Sequence, residues 1–217
     1  IVHEAAGHAP IIANKDYSKY LINYGEIASK AIMSSEDMNL YYAIRNLSDI
    51  KGKPRATKTE IKNCELELQK AYNNISYISE SSLLSRMNWW TAEYGLVGNI
   101  EKPKIYGAGL LSSVGEGENC LQLNVKKLPF NLDCIKYNYD ITEQQPQLFV
   151  TQNFKYLVKI LNQLSEQMSY KIGGIKGLDA AIKAKTVCTI EIDKTLQISG
   201  IFEKYIKQNN KLVYIKT

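Results

Sequence analysis

Histidine is nearly missing from this chain, with two in 217 residues. Proline is sparse as well, at five, so few positions interrupt a helix by losing an N–H donor. No apolar run approaches the ~20 residues of a membrane span, and no basic segment leads into an apolar stretch at the start. The four cysteines, Cys64, Cys120, Cys134 and Cys188, form no C-x-x-C pair. That argues against a zinc ribbon or a disulfide framework and for reduced core thiols, and with them a cytoplasmic location and no membrane partner. What is present is ordinary for a globular protein: 45% hydrophobic and 23% charged residues exclude collagen-like, low-complexity and wholly disordered chains. The net charge of +5 is unevenly placed, because residues 151–217 carry 11 lysines against 5 acids and residues 1–150 are close to neutral. Aromatic residues do not interleave with those lysines as a nucleic-acid surface would require, so they read as solvated surface with no nucleic-acid partner.

Periodicity divides the chain. Tyr17, Tyr20, Leu21, Tyr24, Ile27, Ala28, Ala31 and Ile32 recur at three- and four-residue steps and predict a helix over 16–33. Glu36–Leu47 predicts another, Lys58 to about Glu80 a long one with a single apolar stripe, and Leu83 through Leu96 a fourth. Beyond Gly98 the glycines at 107, 109, 115 and 117 predict a loop-rich segment with a short strand at Ile105-Tyr106. Further strands are expected at Asp133–Asp140, Thr186–Asp193, Leu196–Ile201 and Leu212–Lys216, and a helix over Asn153–Tyr170. The expected class is α+β, mostly α, with short strands and a small β-containing C-terminal appendage.

Both histidines fall within six residues, in His3-Glu4-Ala5-Ala6-Gly7-His8. The zinc-protease helix H-E-x-x-H places its ligands four apart on one face. A spacing of five turns two side chains roughly 140° apart on a regular helix, so the pair meets a common ion only if His3 lies where the backbone is not yet helical. Otherwise the two are solvent-exposed side chains. A third donor is offered by Glu93, set among aromatic and apolar neighbours in Trp89-Trp90-Thr91-Ala92-Glu93-Tyr94-Gly95-Leu96. Burying that carboxylate is costly unless a cation compensates it. Two histidines and one carboxylate would form the facial triad of non-haem Fe(II) oxygenases, with coordination positions left open. Gly107-Ala108-Gly109 lacks the strand–loop–helix setting and the Lys-Ser or Lys-Thr of a phosphate-binding loop.

Four segments in order, HEAAGHAP (His3–Pro10), WWTAEYGL (Trp89–Leu96), KIYGAGLLSSVGE (Lys104–Glu116) and TEQQPQLFV (Thr142–Val150), resemble the catalytic domain of the tetrahydropterin-dependent aromatic amino acid hydroxylases. The resemblance covers roughly residues 1–165, with a helical insertion at about 35–82, and leaves 166–217 as a basic appendage. It implies a mostly helical basket with iron at its bottom, held by His3, His8 and Glu93. Glu4 matches the family's catalytic acid beside the pterin, its other reading being an acid at a helix start facing the dipole. Trp89 and Tyr94 match residues lining the amino acid pocket, and core packing is the alternative for both. Ser112, on the same substrate side, matches a residue that orients the first histidine. Ile141 stands where an apolar residue goes with phenylalanine rather than tyrosine.

The implied function is conversion of an aromatic amino acid, phenylalanine before tyrosine or tryptophan, using Fe(II), O2 and tetrahydrobiopterin. A zinc-dependent hydrolase and a non-catalytic interaction module with a vestigial iron site remain the alternatives. Three departures from the family stand out: 84 residues separate His8 from Glu93, Asn88 takes an aromatic position, and the chain starts at Ile1, two residues before His3. The family's pterin loop and substrate-binding arginine precede the first histidine, so this chain is expected to be poorly active by itself.

Overall fold

A computed structural model describes residues 1–139, 143–193, 195–209 and 211–217. A π-helical turn, His3–His8, runs into α1 (Ala9–Ile12) and is followed by α2 (Lys15–Ala28), α3 (Ser35–Lys51), α4 (Lys58–Asn73) and α5 (Glu80–Asn88). A second π-helical turn, Trp89–Glu93, extends α5. Then come β1 (Leu96–Asn99), β2 (Lys102–Ile105), α6 (Ala108–Ser112), α7 (Val114–Asn119), β3 (Lys126–Pro129), a 3-10 turn (Leu132–Lys136), β4 (Gln147–Thr151), α8 (Phe154–Ser165), α9 (Ser169–Ile172) and α10 (Gly174–Ala184). The chain closes with β5 (Cys188–Ile192), β6 (Leu196–Gly200), β7 (Lys204–Gln208) and β8 (Lys211–Lys216). Helix predominates and the strands are short, the mostly helical α+β class that the periodicities predict.

The chain divides into two compact units, one of Ile1–Lys30 with Leu83–Lys171, the other of Ala31–Ser82 with Ile172–Thr217. In the first, a mixed sheet has the order β2-β1-β4-β3, antiparallel between β1 and β2 and parallel elsewhere. Asn14 caps α2 by accepting the N–H groups of Asp16 and Tyr17, and Asn153 caps α8 through Tyr156. Leu157, Ile160, Leu161 and Leu164 recur at helical steps along α8, and all are buried. Tyr17, Tyr106 and Phe154 pack ring against ring at 5.1–5.6 Å, so α2, the residue just after β2, and α8 share one aromatic core.

In the second unit, Ser34 with Asp37 and Thr57 with Glu60 form capping boxes that start α3 and α4. Its core gathers Leu178, Ala181 and Phe202, with Ile32, Ile190, Ile198 and Ile215 packed against them. Ser81 N–H bonds to the Ile32 carbonyl, and the Thr186 hydroxyl donates to the Met33 carbonyl at 2.6 Å. Residues far apart in sequence therefore close this unit.

Several local expectations are corrected. Asp133–Asp140 does not start as a strand: the Asn131 side chain accepts the Asp133 N–H at 2.8 Å and turns the chain into the 3-10 turn, which buries Cys134 and Ile135. The helix predicted from Lys58 ends at Asn73, and Leu96 opens a strand instead of closing a helix. Glycines at 173 and 174 punctuate the chain at φ 59° and 56°, but a helix, α10, begins there and buries Leu178 and Ala181. Strands β3, β4 and β7 carry no alternation clear enough to predict them.

Candidate metal centre

The two histidines are on a helix, and the helix is not regular. The Ala9 N–H bonds to the Glu4 carbonyl, an i→i+5 contact, and Val2 ahead of the turn is already helical at φ −61°, ψ −47°. A π-turn brings residues five apart toward one face, which a regular helix does not. His3 and His8 thus meet through a wider turn and not, as the spacing argument required, through a non-helical start. Glu93 ends a second π-turn, closed by the Tyr94 N–H on the Trp89 carbonyl at 2.9 Å.

Three donor atoms converge. His3 Nε2 lies 3.1 Å from His8 Nε2 and 3.3 Å from Glu93 Oε2, and His8 Nε2 lies 3.4 Å from Glu93 Oε1. Donors held about 2.0–2.2 Å from one divalent ion stand roughly 3.0–3.5 Å apart, so these spacings fit a shared ion. All three are part-buried; His3 is the most open, at 44% against 22% and 20% for His8 and Glu93.

The hydrogen-bond network settles the tautomer of His3. Ser112 Oγ donates its one proton to the Ala108 carbonyl at 2.7 Å, so it accepts from His3 Nδ1–H at 2.8 Å. That leaves the His3 Nε2 lone pair facing the carboxylate and the second imidazole. Such an arrangement is repulsive until a proton or a metal cation sits among the three. Among the described residues, His3, His8 and Glu93 form the one histidine, cysteine and acid group compact enough to hold a metal ion. Burial, reinforced by Glu93, pushes the Tyr17 phenol up to about 12, and burial, with the Glu116 and Glu93 carboxylates, raises that of Tyr94, so both are neutral.

Glycine makes the assembly possible at two contacts. A Cβ on Gly7 would lie 2.7 Å from the Ala108 carbonyl oxygen, and one on Gly107 would lie 2.4 Å from the Gly95 nitrogen and 2.5 Å from the Glu93 oxygen. The Gly107–Gly109 segment therefore serves as a seat for the backbone of Glu93.

Comparison with known proteins covers part of this site. Residues 76–176 match the sequence model described as biopterin-dependent aromatic amino acid hydroxylase. The chain shares this stretch with the aromatic amino acid hydroxylases. The matched hydroxylase stretch includes Glu93 and Ser112 and leaves His3 and His8 outside it. Among relatives, the phenylalanine-4-hydroxylase of Dictyostelium discoideum is 40% identical over 85 residues, 39% of this chain and 19% of that protein. A probable aromatic amino acid hydroxylase of Chlamydia pneumoniae is 27% identical over 167 residues, 76% of this chain and 38% of that one. Iron- and phenylalanine-bound phenylalanine hydroxylase from Chromobacterium violaceum superposes with a TM-score of 0.37 at 26% identity, over 49% of this chain and 43% of that one. The chain thus spans less than two fifths of the length of these two curated hydroxylases.

The other expected hydroxylase positions are placed as follows. Glu4 is exposed on the first π-turn and does not join the donor cluster. Trp89 stacks on Tyr94 at 4.7 Å and on Tyr139 at 4.3 Å, and its indole N–H is buried with no hydrogen-bond partner among the described residues. Trp90 is core, fully buried with its N–H on the Tyr137 carbonyl at 3.1 Å. Asn88 is part-buried at the end of α5, and Ile141 lies outside the described residues. Tyr139 was not foreseen; its aromatic ring two residues after Tyr137 was the available signal. A surface groove of about 670 Å³ between α3 and α4, lined by Asn39, Tyr42, Asn46, Glu67 and Lys70 among others, belongs wholly to the second unit and supplies no donor to the cluster.

Proposed function

We propose that this chain is part of a non-haem iron monooxygenase that hydroxylates the ring of an aromatic amino acid, phenylalanine to tyrosine, with O2 and tetrahydrobiopterin. The observation that carries the proposal is the convergence of two imidazoles and one carboxylate, with the His3 tautomer fixed by Ser112, beside a stretch matching a biopterin-dependent hydroxylase family. The donor set by itself also suits a catalytic zinc. The family match favours iron.

In this reading His3, His8 and Glu93 hold Fe(II), which supplies the electron-transfer chemistry that activates O2 when bound. Ser112 holds the His3 ring with its Nε2 lone pair inward. Glu4, exposed on the same turn, would order water toward the pterin. Trp89 and Tyr94 offer the substrate an apolar aromatic wall, and Ile141 favours a ring without a hydroxyl. The hydroxylase portion is assigned to residues 1–165 around the inserted 35–82, with 166–217 as the appendage, while the family match itself runs from 76 to 176. The working location is the cytoplasm; no helix of the described residues is long and apolar enough to cross a membrane.

Anaerobic Fe(II) titration tests the ligands. The parent chain should bind one Fe(II), and His8→Ala and Glu93→Ala should each weaken binding by at least about a hundredfold. Variants that bind as tightly as the parent would sink the triad. Product analysis with phenylalanine, tyrosine and tryptophan, each supplied with tetrahydrobiopterin, tests the substrate; turnover of tyrosine or tryptophan ahead of phenylalanine overturns that part.

A further inference from the structure

The second π-turn is anchored from outside. Thr91, at its middle, is fully buried, and its hydroxyl donates to the Met87 carbonyl at 2.6 Å, with the Asn88 carbonyl at 3.4 Å. Those carbonyls lie where i→i+4 bonding in α5 gives way to the i→i+5 turn. Such a change displaces an amide from its regular acceptor, and a hydroxyl at the junction can supply the donor instead. Thr91 has one proton and it is committed to Met87, so the partner at 2.8 Å, Tyr20 Oη, must be the donor. Tyr20 is fully buried on α2, and burial keeps its phenol protonated, as a donor must be.

The chain Tyr20 Oη–H to Thr91 Oγ1–H to Met87 C=O joins two stretches. One leads from the histidine-bearing turn through α1 into α2; the other carries Glu93 two residues after Thr91. We propose that Tyr20 and Thr91 are positioning residues that hold the second π-turn in register, so that the Glu93 carboxylate faces His3 and His8 instead of rotating out of the cluster. Neither residue touches the donor atoms. The proposal rests on the metal-site reading for its consequence, but the register itself exists without metal and can be measured without it.

Three variants separate the possibilities. Tyr20→Phe removes only the outer donor and leaves the Thr91–Met87 bond in place. Thr91→Val removes the hydroxyl with little change in shape, and Thr91→Ser keeps it. In the metal-free chain, hydrogen exchange of the Tyr94 N–H, which closes the turn on Trp89, should quicken about fivefold or more in Tyr20→Phe and Thr91→Val and stay near the parent in Thr91→Ser. Fe(II) affinity should fall about tenfold in the first two and be restored in the third. Unchanged exchange at Tyr94 in Tyr20→Phe and Thr91→Val overturns the assignment whatever the metal does. Faster exchange with undiminished Fe(II) affinity also overturns it, since Glu93 would then not depend on the turn. If Thr91→Val does not fold, Tyr20→Phe decides. A parent that binds no Fe(II) would defeat the iron reading, while the exchange arm still decides whether the pair holds the turn.

Discussion

Ser112 controls more than its own hydrogen bond. By spending its proton on Ala108 it forces His3 to donate from Nδ1, and the lone pair left on Nε2 is what a metal needs. Ser112→Ala should leave the fold intact but lower Fe(II) affinity by about 10- to 100-fold, as measured by competition against a chelator, with Ser112→Thr recovering part of the loss. In the sequence the two histidines stand out by scarcity and Glu93 by its aromatic setting, whereas Ser112 came only from the resemblance to the hydroxylases. Tyr139 was not named, and Tyr20 and Thr91 stood only on a helix face and in a motif, with no role given to either. A tyrosine among 15 gives no sign of which one will donate its hydroxyl proton to a buried threonine 71 positions away.

Among elements, the two π-turns matter most and were least legible. Periodicity arguments assume 3.6 residues per turn, and on that assumption His3 and His8 diverge. The extra residue in the turn brings them together, and the local sequence carries no signature of it. Capping is local by contrast, although no cap was read from the sequence. Ser34 stands just ahead of α3 and Asp37 three residues on, in its first turn, and the Asp37 carboxylate also accepts from Ser82 at 2.8 Å. Burial raises the Asp37 pKa, but hydrogen bonds from Ser79, Ser34 and Ser82 outweigh it and hold the group below the ordinary 3.8. A depressed carboxyl stabilises the fold fully above its unfolded pKa and loses that contribution as pH falls through the folded value. Asp37→Ala should therefore cost about 1 kcal/mol near neutral pH. In urea titrations followed by circular dichroism the difference should shrink as pH falls below about 4.

For the whole molecule, the inserted helices and the C-terminal strands belong to one compact unit, although 89 residues of the other unit run between them. Phe202 is at the centre of its core with Leu178 and Ala181. Phe202→Ala should destabilise that unit by about 3–5 kcal/mol. Limited proteolysis should then cut residues 31–82 as readily as 172–217, and loss of protection in only the C-terminal part would contradict the shared core. What the sequence determined by itself was the helical class and a short set of candidate donors, because apolar period and scarce histidines are local and chemically distinctive. Only the tertiary structure decided the π-turns that align those donors, the tautomer of His3 and the joining of residues 31–82 to 172–217. Those depend on which buried partners meet across long separations, and no local pattern of residues specifies that.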